Sequence, residues 1–366
     1  MARVCILFAV LSAGPFCAAA QAAQAPLRIL FFAPTSEGNT YWPGVHRVLR
    51  AAAGDLAVDL VIHEFDVGDR FAKHVEGVRI LRQEPTADGA IFSVAFGNTE
   101  PLLEAAEALG IPVLIHGPLF PSELPTLGGT PRTKYRQWVG YFYQDEAGKG
   151  YRLGKALLDA AHAAGSDPVA VVGIGGDTSW FGSRLREQGL GRAVREDPAA
   201  RLLQVAPTKW TQAEGASRAR LLHGRYPEAT VFWAASDQLA LGACGALEAA
   251  GGTPGKTFFT GGLDLSRKGL EAVKDGRLVA TVASLACSYV EMLVYLHDYV
   301  HGVDFADEVG TEVCAQVHAA TRGNVDQYLE LLDTVDEVDY RALSKASNPE
   351  REDYDFSLEN LLAVRK

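Results

Sequence analysis

Leu27-Arg28-Ile29-Leu30-Phe31-Phe32-Ala33-Pro34, followed by Thr35-Ser36-Glu37-Gly38-Asn39, decides how the rest of this chain is read. A run this apolar, closed by a polar loop, reads as a strand buried on both faces, and such strands belong to parallel sheets covered by helices. A helix predicted over 42–53 supplies the first cover. The alternation continues with strands at 58–65, 89–94 and 112–116 and helices at 70–83 and 100–109. Strands joined by helical crossovers of this length imply a doubly wound α/β fold with a parallel sheet.

The rhythm breaks over 117–135, where Pro118, Pro121, Pro125, Pro131 and Gly128-Gly129 mark a lobe boundary or a functional loop. A second series follows, with strands predicted at 138–143, 168–173, 201–206, 230–235, 256–261 and 279–284, separated by helices. Two such halves in tandem make two lobes with a cleft and a hinge between them. Residues 27–137 with 286–309 are expected to form the N-terminal lobe, and 138–285 with 310–320 the C-terminal lobe. The chain would then cross between lobes near Gln137, Ser284 and Gly310. A last strand over 312–318 and a short helix over 325–332 are expected, and 321–366 reads as a C-terminal extension with a solvated, charged tail.

The N-terminus sets the compartment. Arg3 precedes an apolar stretch over 4–11, and Ala18-Ala19-Ala20 or Ala20-Gln21-Ala22 offers a small-residue cleavage site. Residues 1–22 therefore read as a cleaved signal peptide that sends the protein across the inner membrane to the periplasm. The bulky Phe16 beside Cys17 argues against a lipid anchor. No later apolar run reaches the length of a membrane span, so the mature protein is not expected to be membrane-embedded. The net charge of −11, without a basic stripe to neutralise phosphates, argues against nucleic acid as a partner. Cys244, Cys287 and Cys314 remain after processing, an odd number that leaves at least one thiol free.

Few motifs support catalysis. Gly251-Gly252-Thr253-Pro254-Gly255-Lys256-Thr257 follows a helix, whereas a phosphate loop must follow a strand. Gly173-Ile174-Gly175-Gly176 has Thr178 where a dinucleotide fingerprint needs its third glycine, so these glycines are read as letting the backbone approach something in the cleft. His297 and His301 lie one helical turn apart, but Asp298 follows where a zinc protease has Glu, and Gly302 ends the helix; a surface helix terminus is the reading. There is no Gly-x-Ser-x-Gly elbow and no Cys-x-x-Cys pair. The chain is expected to be no enzyme, to need no cofactor or metal, and to act as a monomer.

The aromatics are placed more tellingly. Tyr41 and Trp42 follow the first strand, Phe96 the third, Trp180 and Phe181 open a second-lobe helix, and Trp210 follows the strand at 201–206. All fall near carboxyl ends of strands, where open α/β sheets bind ligands. Asn39, Asn98, Asp177, Arg186, Asp237 and Asp264 share that edge.

Four segments carry a family resemblance. They are Phe181-Gly182-Ser183-Arg184-Leu185-Arg186-Glu187-Gln188-Gly189, Trp233-Ala234-Ala235-Ser236-Asp237-Gln238-Leu239-Ala240-Leu241-Gly242-Ala243, Gly261-Gly262-Leu263-Asp264, and Val279-Ala280-Thr281-Val282-Ala283-Ser284. Together they resemble the type I periplasmic binding proteins, which include ribose-binding and autoinducer-binding receptors, and more closely the sugar ABC-type members with a C-terminal extension. The resemblance implies a small-molecule ligand held between lobes, with Tyr41, Trp42 and Trp210 stacking on it. It also implies that Arg186 forks onto ligand oxygens, and that Asp264 and Asn98 form hydrogen bonds. Where such sugar binders carry amides, this chain has Ser236 and Ser284. A sugar-like ligand is therefore the first expectation and an apolar hydroxylated one, such as a sterol or other lipid, the second. The partner is expected to be a membrane permease or, for a sensor, a membrane histidine kinase.

Overall fold

The computed structural model describes residues 25–35, 37–38, 41–65, 70–93 and 99–366. The expected signal peptide at 1–22 and the expected ligand contacts Asn39, Phe96 and Asn98 lie outside these residues. In chain order the strands are β1 (Leu27–Pro34), β2 (Val58–Phe65), β3 (Gly89–Ser93), β4 (Val113–His116), β5 (Trp138–Gln144), β6 (Val169–Ile174), β7 (Ala200–Ala206), β8 (Val231–Ala234), β9 (Phe259–Leu263), β10 (Ala280–Ala283), β11 (Glu312–Ala315) and β12 (His318–Thr321). The helices are α1 (Trp42–Asp55), α2 (Arg70–Gln83), α3 (Glu100–Leu109), α4 (Leu124–Leu127), α5 (Glu146–Ala163), α6 (Phe181–Arg195), α7 (Gln212–Arg225), α8 (Asp237–Ala249), α9 (Arg267–Lys274), α10 (Ser288–Val300), α11 (Ala306–Val309), α12 (Val325–Thr334) and α13 (Leu358–Ala363), with a 3-10 turn at Tyr340–Leu343.

The strands form two sheets, ordered β11-β5-β4-β3-β1-β2 and β12-β10-β9-β8-β6-β7. Every ladder of the first sheet is parallel, and so is every ladder of the second except the antiparallel β10–β12 pair. The central strands β3 and β6 are buried along their whole length, which is what helices on both faces require.

Sheet membership departs from the sequence reading in two places. The strand at 138 is expected in the second lobe, yet β5 pairs with β4 in the first sheet, so the chain first changes sheets after Gln144 rather than near Gln137. The single strand expected over 312–318 is split: β11 pairs with β5 in the first sheet, and β12 pairs with β10 in the second. The third crossing therefore falls between Ala315 and His318. The second crossing lies between β10 and α10, as read from the sequence near Ser284. Helix α10 rides on the first sheet, where a Cβ on Gly89 would stand 2.8 Å from Leu296.

The C-terminal segment joins both halves. Arg267 of α9 pairs with Asp333 at 2.5 Å, while Arg47 of α1 pairs with Asp336 at 2.5 Å. Asp298 accepts from the Ser344 hydroxyl at 2.5 Å, the Lys345 N–H at 2.7 Å and the Tyr354 hydroxyl at 2.9 Å. His297 and Asp298 are consequently buried rather than part of a surface helix terminus, because the segment after Tyr340 covers them. The His297 ring bonds its own neighbour Asp298 at 2.9 Å, a structural role for the pair.

Candidate ligand-binding site

In the first sheet β1 lies between β2 and β3, and in the second β6 lies between β7 and β8. These are the points where the winding reverses, and the loops beyond the carboxyl ends of such strands part to leave a crevice. The two crevices share one cavity of about 370 Å³, a volume suited to a small molecule. Its walls come from the turns after β1, β4 and β5 on one side and after β6, β7, β8 and β9 on the other.

Arg186 stands at the centre of the second-sheet wall. Its Nε donates to Glu146 Oε2 at 2.5 Å and its Nη1 to the Ala235 carbonyl at 2.7 Å. Nη2 has no protein acceptor among the described residues. The guanidinium sits 4.9 Å from the Trp180 ring centroid and 5.9 Å from that of Trp210, a cation–π arrangement that restricts its plane. Close approach of α5 and α6 holds this geometry: a Cβ on Gly150 would lie 2.0 Å from the Arg186 carbonyl oxygen. Burial alone would raise the Glu146 carboxyl, but Arg186 and Lys149 outweigh it and hold it below the ordinary value. Lys149 is itself buried, donating to Gln144 and, at 3.2 Å, to Glu146.

Aromatic faces line both sides. Tyr41, Trp42 and Tyr289 form one cluster, with Trp42–Tyr289 centroids 5.6 Å apart, and His116 lies 4.6 Å from Tyr289. Burial pushes the Tyr41 hydroxyl up to about 12, and it shares hydrogen bonds with Tyr289 and Gln144. Opposite, Trp180 and Trp210 meet edge to face at 5.7 Å. The glycines after β6 serve this pair: a Cβ on Gly176 would stand 1.9 Å from the Trp210 ring. Trp210 adopts φ 75°, a conformation costly for a side chain of this size.

Asp264 completes the cleft at a second strained turn, with φ 149° there and 53° at Leu265. Burial and the neighbouring Asp237 carboxyl raise its pKa well above the ordinary carboxylate range. At the cleft mouth Asp177 receives Lys209 at 2.8 Å, and the hydrogen bonds from Lys209 and Ser179 outweigh burial to keep it at about 2.

Of the residues expected from sequence, Tyr41, Trp42, Trp180, Arg186, Trp210, Ser236 and Asp264 line the cavity together. Ser284 does not: its hydroxyl faces the Ala315 carbonyl at 3.5 Å, at the crossing between lobes. Ser236 caps α8 by accepting from the Leu239 N–H at 3.2 Å. Asp237 lies behind the wall, fully buried, accepting from Thr281 Oγ1 at 2.6 Å and from the Ser266 hydroxyl and N–H at 2.8 and 2.9 Å. Sequence reasoning missed Gln144, Glu146, Lys149, His116 and Tyr289. The first three had a signal, charged and amide groups at i, i+2 and i+5 across a strand-to-helix turn.

The lobes touch across the cleft mouth. Gln238 Nε2 donates to the Gly38 carbonyl at 3.3 Å, and Phe120, from the loop after β4, stacks on Phe181 at 5.1 Å. Arg184 covers Phe181 at 5.3 Å. This is a closed arrangement.

The periplasmic binding protein domain family matches residues 30–299. The chain belongs to that family. Among solved structures, this periplasmic binding protein is similar to a periplasmic sugar-binding protein from Pseudomonas fluorescens, with TM-score 0.79, 26% identity, and 92% of this chain and 99% of that one covered. It shares its fold with an ABC transporter solute-binding protein from Actinobacillus succinogenes with bound D-allose, at TM-score 0.72 and 20% identity over 82% of this chain and 100% of that one. A protein from Mycobacterium smegmatis in complex with β-D-fucofuranose aligns at TM-score 0.71 and 20% identity, covering 84% and 97% of the two chains. No curated protein sequence matches the chain.

Proposed function

We propose that this protein is an exported receptor that closes on a sugar-like, polyhydroxylated ligand and presents it to a membrane transporter. The carrying observation is the convergence of aromatic faces and hydrogen-bonding edges from both sheets on one cavity of about 370 Å³. A sugar ring offers an apolar face to Trp180, Trp210 or Trp42, and hydroxyl edges to Arg186, Asp264 and Gln144. Closure of the lobes dehydrates both kinds of contact. Two cations, Arg186 and Lys149, share the single Glu146 carboxylate, so this wall presents donors to the ligand's oxygens. The sugars bound by the relatives from Actinobacillus and Mycobacterium support the class, and the signal-like residues 1–22 support export.

The test starts with the purified protein, from which bound small molecules are released by denaturation and identified by mass spectrometry. Sugars and lipids are then screened by thermal shift. A neutral sugar at a hundred times its dissociation constant adds about 2.7 kcal/mol of stability. A co-purified sterol or lipid, with no sugar shifting the melt, rejects this reading.

Closure gives an independent readout. Binding that favours the closed form shrinks the radius of gyration seen by solution scattering. Phe120→Ala removes the stack on Phe181 and is expected to weaken affinity several-fold by shifting the balance towards the open form. An unchanged radius on ligand addition, with unchanged affinity in the variant, sinks the hinged-receptor mechanism.

A further inference from the structure

A second chamber of about 200 Å³ adjoins the cleft, and Tyr41 and Asp264 line both. We propose that it receives an apolar substituent of the cleft ligand, so that the preferred ligand is a glycoside with a ring-sized aglycone rather than a free sugar. This rests on the sugar reading above. Most of the lining is apolar and comes from four separate elements: Val48 from α1, Leu270 from α9, Leu285 from the second crossing, and Tyr328, Leu331 and Val335 from the C-terminal segment. All six are buried. An apolar cavity of about 150 Å³ stays dry and takes a benzene ring, so this one is large enough for an aryl group.

The two arginines of the lining lie at the outer rim and are each paired with a carboxylate of the C-terminal segment, while Ser266 and Cys287 are buried polar groups of the wall and Asp264 lies on its inner side. Arg47 pairs with Asp336 and Arg267 with Asp333, all four half exposed. Those two ion pairs tie the C-terminal segment to both lobes across the solvent side of the chamber. The inner side is the partition made by the Tyr41 ring and by the turn at Asp264 and Leu265, where two successive residues with side chains hold positive φ. Strain of this kind persists where surrounding structure over-determines it, and it clusters at ligand clamps. A ligand whose ring is held by Arg186 and the tryptophans, and whose substituent passes this partition, would use the whole apolar surface that the C-terminal segment encloses.

Matched methyl and phenyl β-D-glycosides of glucose, galactose and allose, titrated calorimetrically against the full chain, test the proposal. For the sugar that binds, the phenyl glycoside is expected to bind at least about tenfold more tightly than the methyl glycoside. Gly44→Phe fills the chamber from α1, where an added Cβ meets nothing within 4 Å, and is expected to bring that ratio down to about one. Leu332→Trp fills it from the opposite wall and serves if the first variant folds poorly. Equal affinities for methyl and phenyl glycosides, or a phenyl advantage that survives both fillings, overturn the chamber while leaving the sugar reading standing. No binding of any of the six glycosides or their parent sugars overturns both.

Discussion

Arg186→Ala is expected to weaken ligand binding by about 2 to 5 kcal/mol, a loss on the order of thirtyfold to several thousandfold. The side chain is the centre of the wall: one nitrogen faces the cavity while the others hold Glu146 and the Ala235 carbonyl. Truncation removes the ligand donor, frees Trp180 and Trp210 to shift, and leaves the Glu146 carboxylate buried with Lys149 as its only cation. A fall in stability of about 3 kcal/mol or more should therefore accompany the lost affinity. The double variant Glu146→Gln with Arg186→Met separates the two effects, since it relieves the orphaned charge without restoring the donor; stability should recover and binding should not. Arg186→Lys keeps the charge but loses the planar fork and the stacking, and should sit between wild type and Ala. Affinity within twofold of wild type in Arg186→Ala, measured by calorimetry on the ligand released from the protein, would reject a binding role for this residue.

Asp237→Ala should be the most destabilising single change in the second lobe, costing about 3 to 5 kcal/mol in a denaturant titration. Its carboxylate gathers the ends of β10 and the β9–α9 turn through Thr281 and Ser266. Removal strands two hydroxyls and one N–H in a dry interior. The packing has no slack to repair this, because Cβ atoms on Gly262 and Gly269 would already lie 2.4 and 2.1 Å from the Asp237 oxygens. Since the turn it fixes carries Asp264 and Leu265 into the cleft and the chamber, ligand affinity should fall with stability. Asp237→Asn keeps one acceptor and should cost less. A cost below about 1 kcal/mol for the Ala variant would show that Thr281 and Ser266 find other partners.

Much of the cleft was legible because its signals are local. The apolar runs at β1, β3 and β6 and the loops after them mark strand ends without reference to anything distant. An aromatic just past a strand end, such as Trp42 or Trp210, is placed by the same few residues. The family segments around Arg186, Asp237 and Asp264 are contiguous too. Asp237 shows the limit of that reading: sequence set it at the right sheet edge, and only packing revealed that its carboxylate turns inward to Ser266 and Thr281 rather than towards the ligand. Ser284 shows it again, since one further residue along the return strand carries a hydroxyl out of the cavity and into the crossing.

The sequence by itself determined two helix-covered α/β halves and the strand ends at which a ligand would sit, since period, apolar run length and turn residues are properties of short windows. Tertiary structure alone decided that β5 and β11 belong to the first sheet, because a parallel ladder pairs residues far apart in the chain and leaves no mark on either strand. It alone decided that Glu146 and Lys149 face Arg186, a buried charge cluster assembled from two helices whose close approach Gly150 and Gly189 permit. The second chamber belongs to the same class, for its walls come from α1, α9, the second crossing and the C-terminal segment, and no window of sequence contains more than one of them.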